Sequence, residues 1–241
     1  MARTARIVFE GIAHHVVQRS NFQLKVFKDE KDKSQYCQFV NEFSKRYKLK
    51  IYAYCIMDNH IHFVAVPENS DSLAMTFKNA HMRYSQYFNK KNNQTGHLWQ
   101  GRFYSCPLDE KHSFEAMKYV ERNPVRAGIV KAPWKYFWCS AYDHVQKNQK
   151  TVSKNPAENE NKHSRIELSD SDELGYNWDP KEWKEYLGTP DKKEFVAKLR
   201  SSTKKGSPVF GVKFKKKIEN KYGINLDRRP RGRPKKKEKS K

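Results

Sequence analysis

Two histidines separated by one residue, His60 and His62, open the apolar run Ile61 to Val66. Residues i and i+2 of a strand project from one face. Both imidazoles can then converge on a divalent cation and leave other positions open for a substrate. The pair is also read as two strand histidines that are simply paired or solvated, because an H-x-H pattern alone is weak. His14 and His15, being adjacent, point to opposite faces and make a poorer chelate. A second group stands out by where it falls on a helix. Phe114, Met117 and Val120 form an apolar stripe after Asp109, and Tyr119 lies roughly 160° from its centre at about 100° per residue. An aromatic there is exposed, packed on another element, or functional. A phenol, with a free pKa of about 10, can attack a phosphodiester. The product keeps the ester and can pass the strand to another hydroxyl. Asn123 shares a face with Tyr119 if the helix persists. With Pro124 behind it, Asn123 is alternatively the N-cap of a further short helix.

The elements that must hold these groups follow from periodicity. Residues 14–18 read as a short strand. Tyr36, Phe39, Val40, Phe43 and Tyr47 give one stripe on a helix over 29–48. Strands over 50–57 and 60–66 flank an Asp58-Asn59 turn. A second helix starts with Ser72 as N-cap and carries Leu73, Phe77, Ala80, Tyr84, Tyr87 and Phe88. A strand over 102–108 and a third helix after Asp109, to about Arg122, complete the order. This predicts an α+β fold, the ferredoxin-like split βαβ arrangement with an antiparallel sheet.

Charge sets the class of partner. Lys plus Arg number 49 and Asp plus Glu 27, a net of +22 in 241 residues. Residues 201–241 hold 16 Lys/Arg against three acids. Such a basic end binds phosphates without reading sequence. Residues 146–173 are poor in large apolar side chains and read as a polar linker. The predicted organisation is a core over 1–145, that linker, and a small helical basic module over 174–241. No run reaches the roughly 18 apolar residues of a spanning helix, and the N-terminus lacks the apolar stretch of a secretory signal. Four dispersed cysteines suit a reducing compartment. A cytoplasmic, nucleoid-associated protein that binds nucleic acid rather than membrane is expected.

The stretch Met57-Asp58-Asn59-His60-Ile61-His62-Phe63 resembles the HUH signature of single-tyrosine transposases. Gly96-His97-Leu98-Trp99-Gln100-Gly101-Arg102-Phe103 and Tyr119-Val120-Glu121-Arg122-Asn123-Pro124-Val125-Arg126-Ala127-Gly128 resemble segments of the REP-associated tyrosine transposase branch. Lys205-Gly206-Ser207-Pro208 and Arg231-Gly232-Arg233-Pro234 are more loosely similar to its basic C-terminal part. The resemblance implies a nuclease domain acting on single-stranded DNA, often at hairpins of palindromic repeats. It implies that His60, His62 and Asn123 hold a divalent metal. It also implies that Tyr119 forms a 5′-phosphotyrosine and frees a 3′-hydroxyl. Asp58 departs from the family, where a proline is common. Imidazole and amide donors suit Mg²⁺ or Mn²⁺, the latter binding more tightly.

For DNA contacts the reading names Arg19, Arg83, Arg102, Arg122 and Arg126, which flank the site in sequence. The two helix arginines could instead pair with Glu115, Glu121 or solvent. Trp99 either stacks on an unpaired base or anchors its loop. Arg231 and Arg233 either enter an A·T-rich minor groove or belong to a sequence-blind polycation. Two other functions compete: a non-catalytic DNA- or RNA-binding regulator, and a replication-initiator or relaxase-type nickase. Both a monomer and a homodimer suit the sequence.

Overall fold

In a computed structural model, residues 6–146, 163–175 and 179–226 are described. Four strands form one antiparallel sheet: β1 (His14–Arg19), β2 (Leu49–Met57), β3 (His60–Pro67) and β4 (Tyr104–Pro107). Their order is β2-β3-β1-β4. With α1 (Glu30–Arg46) between β1 and β2 and α2 (Ser72–Asn92) between β3 and β4, this is the ferredoxin-like arrangement expected. A register shift between Ile51 and Ala53 interrupts the β2–β3 ladder.

The first helix begins where the Asp29 side chain accepts the Asp32 N–H at 2.8 Å. It buries Tyr36, Phe39, Val40 and Phe43, the stripe read from the sequence. The second helix departs from expectation at its start. Asp71 holds the N-cap position and Ser72 is already helical, its Oγ accepting the Asn69 N–H. Phe77 of α2 packs on Phe63 of β3, with ring centroids 5.3–5.2 Å from Phe103 and Phe63. Phe27, Tyr36, Phe63, Phe77 and Tyr84 are almost completely buried. At about 1.5–3 kcal/mol for each large apolar side chain, this layer is a main source of stability.

The other sheet face is covered by α3 (Glu110–Glu121) and the single turn α4 (Asn123–Arg126). Asp109 caps α3 by accepting the His112 N–H at 2.9 Å. The helix breaks at Arg122, which precedes α4, so Asn123 is the first residue of α4 rather than its N-cap. Beyond α5 (Ala141–Gln146) come α6 (Pro180–Gly188), α7 (Lys193–Lys205) and α8 (Val212–Tyr222).

The chain divides into compact units over Met1–Phe210 and Gly211–Lys241. Helices α6 and α7, read from the sequence as part of a separate C-terminal module, therefore lie in the first unit. The physical reason is a set of buried polar bonds. Glu121, fully buried, accepts Trp183 Nε1–H at 2.8 Å, Ser140 Oγ–H at 2.6 Å and His144 Nδ1 at 2.6 Å. Phe114, on the stripe of α3, stacks on Tyr186 of α6. After α7, Val209 pairs with the end of β4, its N–H donating to Pro107 O at 2.8 Å. In the second unit, α8 runs from Gly211 to a left-handed Gly223. Residues 163–170 of the expected linker lie along α1, with Ile166 buried. Its stretch 147–162, and Arg231 and Arg233, lie outside the described residues.

Candidate active site

The strand registers decide which side chains share the α3 face. Val17 pairs with His62 and Arg19 with His60 across β1 and β3. His15 pairs with Cys106, and Val17 with Tyr104, across β1 and β4. Paired residues point the same way, so His15, Arg19, His60, His62 and Tyr104 floor one surface. Phe63, the neighbour of His62, faces the aromatic layer instead.

Tyr119 of α3 lies over this floor. Its ring is edge-on to His62 at 5.8 Å between centroids and to His15 at 5.6 Å. The ring is 4% exposed. Of the options open for a tyrosine off the apolar stripe, exposure is excluded: the ring is packed on another element. Arg126 lies over the ring with its guanidinium carbon 4.0 Å from the centroid. The same guanidinium donates to the Tyr119 carbonyl at 2.6 Å. From α7, Arg200 Nε donates to the Tyr119 hydroxyl at 3.1 Å.

A pocket of about 360 Å³ opens between these elements. It is lined by His15, Val17, Arg19, His60, His62, Gln100, Tyr104, Tyr119, Asn123, Arg200, Thr203 and Lys204. The lining holds three cationic side chains and no carboxylate, so its field favours a polyanion. A second pocket, of about 320 Å³, is lined by Lys45, Lys48 and Lys50. Lys45 and Lys50 are tied there to Glu167 and to Glu68 and Glu173.

All three site histidines are neutral at ordinary pH. Burial lowers His15 to about 3 and His60 to about 4, and lowers His62 well below the usual imidazole value. Nearby Arg126 acts in the same direction on each. Neutral imidazoles are the form that binds a metal.

The donor set fits a divalent cation. His60 Nδ1 bonds Asn59 Oδ1 at 2.6 Å, and the Asn59 amide nitrogen donates onward to Gln23 O. That order makes the Asn59 oxygen the acceptor and leaves His60 Nε2 with its lone pair. His62 likewise commits Nδ1 internally, to His15. Asn123 is buried in the pocket wall, and its Nδ2 has no partner. An unsatisfied buried N–H costs about 1–3 kcal/mol, an amount that a phosphate oxygen in the pocket would offset by accepting it; a cation would take the amide oxygen instead. Among the described residues no group of three or more His, Cys, Asp or Glu is arranged to hold a metal ion. The set here is two imidazoles and an amide.

The residues named for DNA contact separate into three groups. Arg19 is exposed and lines the pocket. Arg122 and Arg126 are committed to Asp191, at 3.2 and 3.1 Å, rather than to Glu115, Glu121 or solvent. Glu115 instead pairs with Lys192. Together these bonds clamp the α6–α7 connection onto α3 and α4. Arg83 and Arg102 are exposed but do not line the pocket. Arg83 belongs to α2, on the opposite sheet face, with its guanidinium over Phe39. Nearness in sequence to the site did not bring it near in space. Trp99 is 8% exposed, packed among Phe27, Tyr36, His81 and Tyr84. Its indole N–H donates to the His81 carbonyl. The stacking option for Trp99 is therefore corrected, because no ring face is free for a base. Tyr104, 42% exposed at the pocket edge, offers such a face.

Sequence reasoning missed His15, Gln100, Tyr104, Arg200, Thr203 and Lys204. The three α7 residues had a signal: 200, 203 and 204 share one face at i, i+3, i+4.

Residues 8–123 match the family model described as "Transposase IS200 like". No curated protein matches. Among solved structures, a REP-associated tyrosine transposase bound to a REP hairpin is similar at 14% identity and a TM-score of 0.50. The match covers 70% of this chain and all of that one. A protein described as a transposase from Deinococcus radiodurans is 16% identical over 51% of this chain and 97% of its own, at a TM-score of 0.35.

Proposed function

We propose, from the match of residues 8–123 to the IS200-like transposase family model, that the chain cleaves and rejoins single-stranded DNA with Tyr119 as nucleophile. The observation that carries this reading is the edge-on contact of Tyr119 with His62, inside a cationic pocket, with Arg200 bonded to the phenol. A hairpin formed by a palindromic repeat is the proposed substrate, the class of DNA bound by the structurally similar transposase.

Tyr119 Oη attacks the scissile phosphorus and the P–O3′ bond breaks. The products are a 5′-phosphotyrosine and a 3′-hydroxyl, the phenolic proton passing in net terms to the departing 3′ oxygen. Attack of another 3′-hydroxyl reverses the step and completes strand transfer, with no nucleotide consumed. Arg200 and Arg126 favour the phenolate as it forms, one by a hydrogen bond and one by its charge over the ring. His60, His62 and Asn123 would hold a divalent cation, Mg²⁺ or Mn²⁺. When bound, such an ion supplies Lewis-acid polarisation of the phosphate. Arg19 and Lys204 hold phosphates at the pocket mouth, and Tyr104 stacks on an unpaired base. The basic end beyond 211, including Arg231 and Arg233, adds sequence-blind affinity. Tyr119 reaches the histidine pair of its own chain, an arrangement that a monomer can use, with a homodimer as the alternative and the cytoplasm as the proposed place of work. Among the described residues no helix is long and apolar enough to cross a membrane.

The test uses full-length protein, a labelled hairpin oligonucleotide with a single-stranded flank, and Mn²⁺. Wild type leaves label covalently attached to protein in a denaturing gel. Tyr119→Phe binds the oligonucleotide and leaves no adduct. An adduct at wild-type level in that variant overturns the assignment.

A further inference from the structure

Three buried groups from three distant segments form a line that ends at His62. Thr203 Oγ is 2.7 Å from the Leu199 carbonyl one turn back in α7. It is also 2.8 Å from His15 Nδ1 and 3.2 Å from the Cys106 thiol. His15 Nε2 is in turn 3.0 Å from His62 Nδ1. Thr203, His15, Cys106 and His62 are each at most 4% exposed. The direction of each bond can therefore be settled by counting protons inside the protein.

A carbonyl only accepts, so the single hydroxyl proton of Thr203 goes to Leu199 O. Thr203 Oγ is left with two lone pairs. It accepts the Cys106 S–H and the His15 Nδ1–H. A neutral imidazole carries one N–H, so His15 Nε2 is an acceptor. His62 must then donate from Nδ1, and its Nε2 bears a lone pair directed away from these bonds. Had the threonine proton pointed at His15, every bond would reverse and His62 would carry its proton on Nε2. An imidazole in that tautomer cannot bind a cation through that nitrogen.

We propose that Thr203 and His15 are positioning residues that set the tautomer of His62. Helix α7, outside the family-matched segment, thereby decides whether the pocket-facing nitrogen of His62 carries a proton or a lone pair. The inference rests on the reading of His60 and His62 as cation ligands, and it concerns a different property of them. Partners of this kind, bonded to the far nitrogen of a ligand histidine, fix both its ring orientation and its basicity. His60 is served separately by the Asn59 amide. The two ligands are thus set by unconnected devices, one in the turn before β3 and one across the sheet.

The test uses metal-free full-length protein with ¹⁵N-labelled histidine, read by long-range ¹H–¹⁵N correlation, and Mn²⁺ titration followed by calorimetry. Wild type shows Nδ1–H tautomers for both His15 and His62. Thr203→Val keeps the side-chain volume but removes the acceptor. It turns the His62 signal into a mixture with the Nε2–H form and weakens Mn²⁺ binding by about 10–100-fold. Thr203→Ser restores both readouts. An Nε2–H tautomer for His62 in wild type overturns the proposal. So does a valine variant with unchanged tautomers and unchanged Mn²⁺ affinity. If the tautomers respond as expected and no variant binds Mn²⁺, the relay stands and the cation reading falls instead.

Discussion

Two buried histidine and tyrosine clusters lie on opposite faces of the same sheet, and their composition is nearly the same. On the α1–α2 side, His81 stacks on Tyr36 at 5.9 Å and 12°, and its Nε2 bonds the Tyr36 hydroxyl at 3.0 Å. Trp99 covers them at 4.9 Å from His81. On the α3 side, His15 stacks on His62 at 5.3 Å and 12°, with Tyr119 edge-on to both. Burial drives His81 down to about 3, as it does His15. Histidine count, ring stacking and shifted pKa therefore fail to tell the two apart. What differs is what is left over. Around His62 there are the unpartnered amide nitrogen of Asn123 and the cations Arg19, Arg200 and Lys204, beside open volume. A perturbed titration marks burial; unspent bonding capacity facing a cavity marks chemistry.

The sharpest way to break this contrast is to remove one hydroxyl from each cluster. Tyr119→Phe is expected to lower adduct formation by at least about 10³-fold, because no covalent intermediate can form. Tyr36→Phe leaves adduct formation intact and costs about 1 kcal/mol in denaturant unfolding, the worth of one hydrogen bond. Equal loss of activity in both would erase the distinction.

Next in size is the cationic half of the difference. Arg200→Gln removes a charged donor from the Tyr119 hydroxyl. Adduct formation under saturating hairpin should slow by about 10²-fold, the usual cost of one preorganised donor, with a smaller change in the DNA concentration giving half-maximal rate. A change confined to that concentration would make Arg200 a binding group only.

The sealed cluster makes the smallest and slowest prediction, through pH. His81 has a folded pKa of about 3, lowered by burial and then by Arg6 from 6.5. The unfolded chain binds the extra proton first, so this contribution is complete above about 6.5 and is lost as pH falls toward 3. One pH unit is worth about 1.4 kcal/mol per histidine. Between pH 5.5 and 4.5, below the unfolded value and above the folded one, unfolding of the wild type should lose about that amount from His81. His81→Leu should flatten the slope by the same amount in urea titrations, and an unchanged slope would place the lost protons elsewhere.

Local patterns made much of this fold legible. The stripe over Tyr36 to Phe43, the alternation of His60 and His62, and the Asp58-Asn59 turn are short-range signals, and the elements followed them. Tyr119 was visible as a misfit on its own helix, although the floor it covers was not. His15 was set aside because its neighbour His14 faces the other way. That argument holds for the adjacent pair, and it overlooks the cross-strand register that brings His15 to His62. Arg200 and Thr203 meet their partners across 81 and 188 residues. Contacts of that span leave no trace in local periodicity. Trp99, in a glycine-bearing loop beside the site motifs, looked available, and only its burial among four ring neighbours removes it.

The turn that precedes His60 is bolted to the segment 20–27. Asp58 O receives N–H groups from both Val26 and Phe27, and Asn59 O receives that of Ser20. Of the two ligands, His62 is embedded mid-strand, whereas His60 borrows its rigidity from a peripheral loop carrying the outward-facing Phe22. A gripping device with one fixed jaw and one jaw mounted on surface scaffolding can have its hold loosened from outside. Sequence drift in that loop could tune how long an ion stays seated while the reactive tyrosine remains untouched.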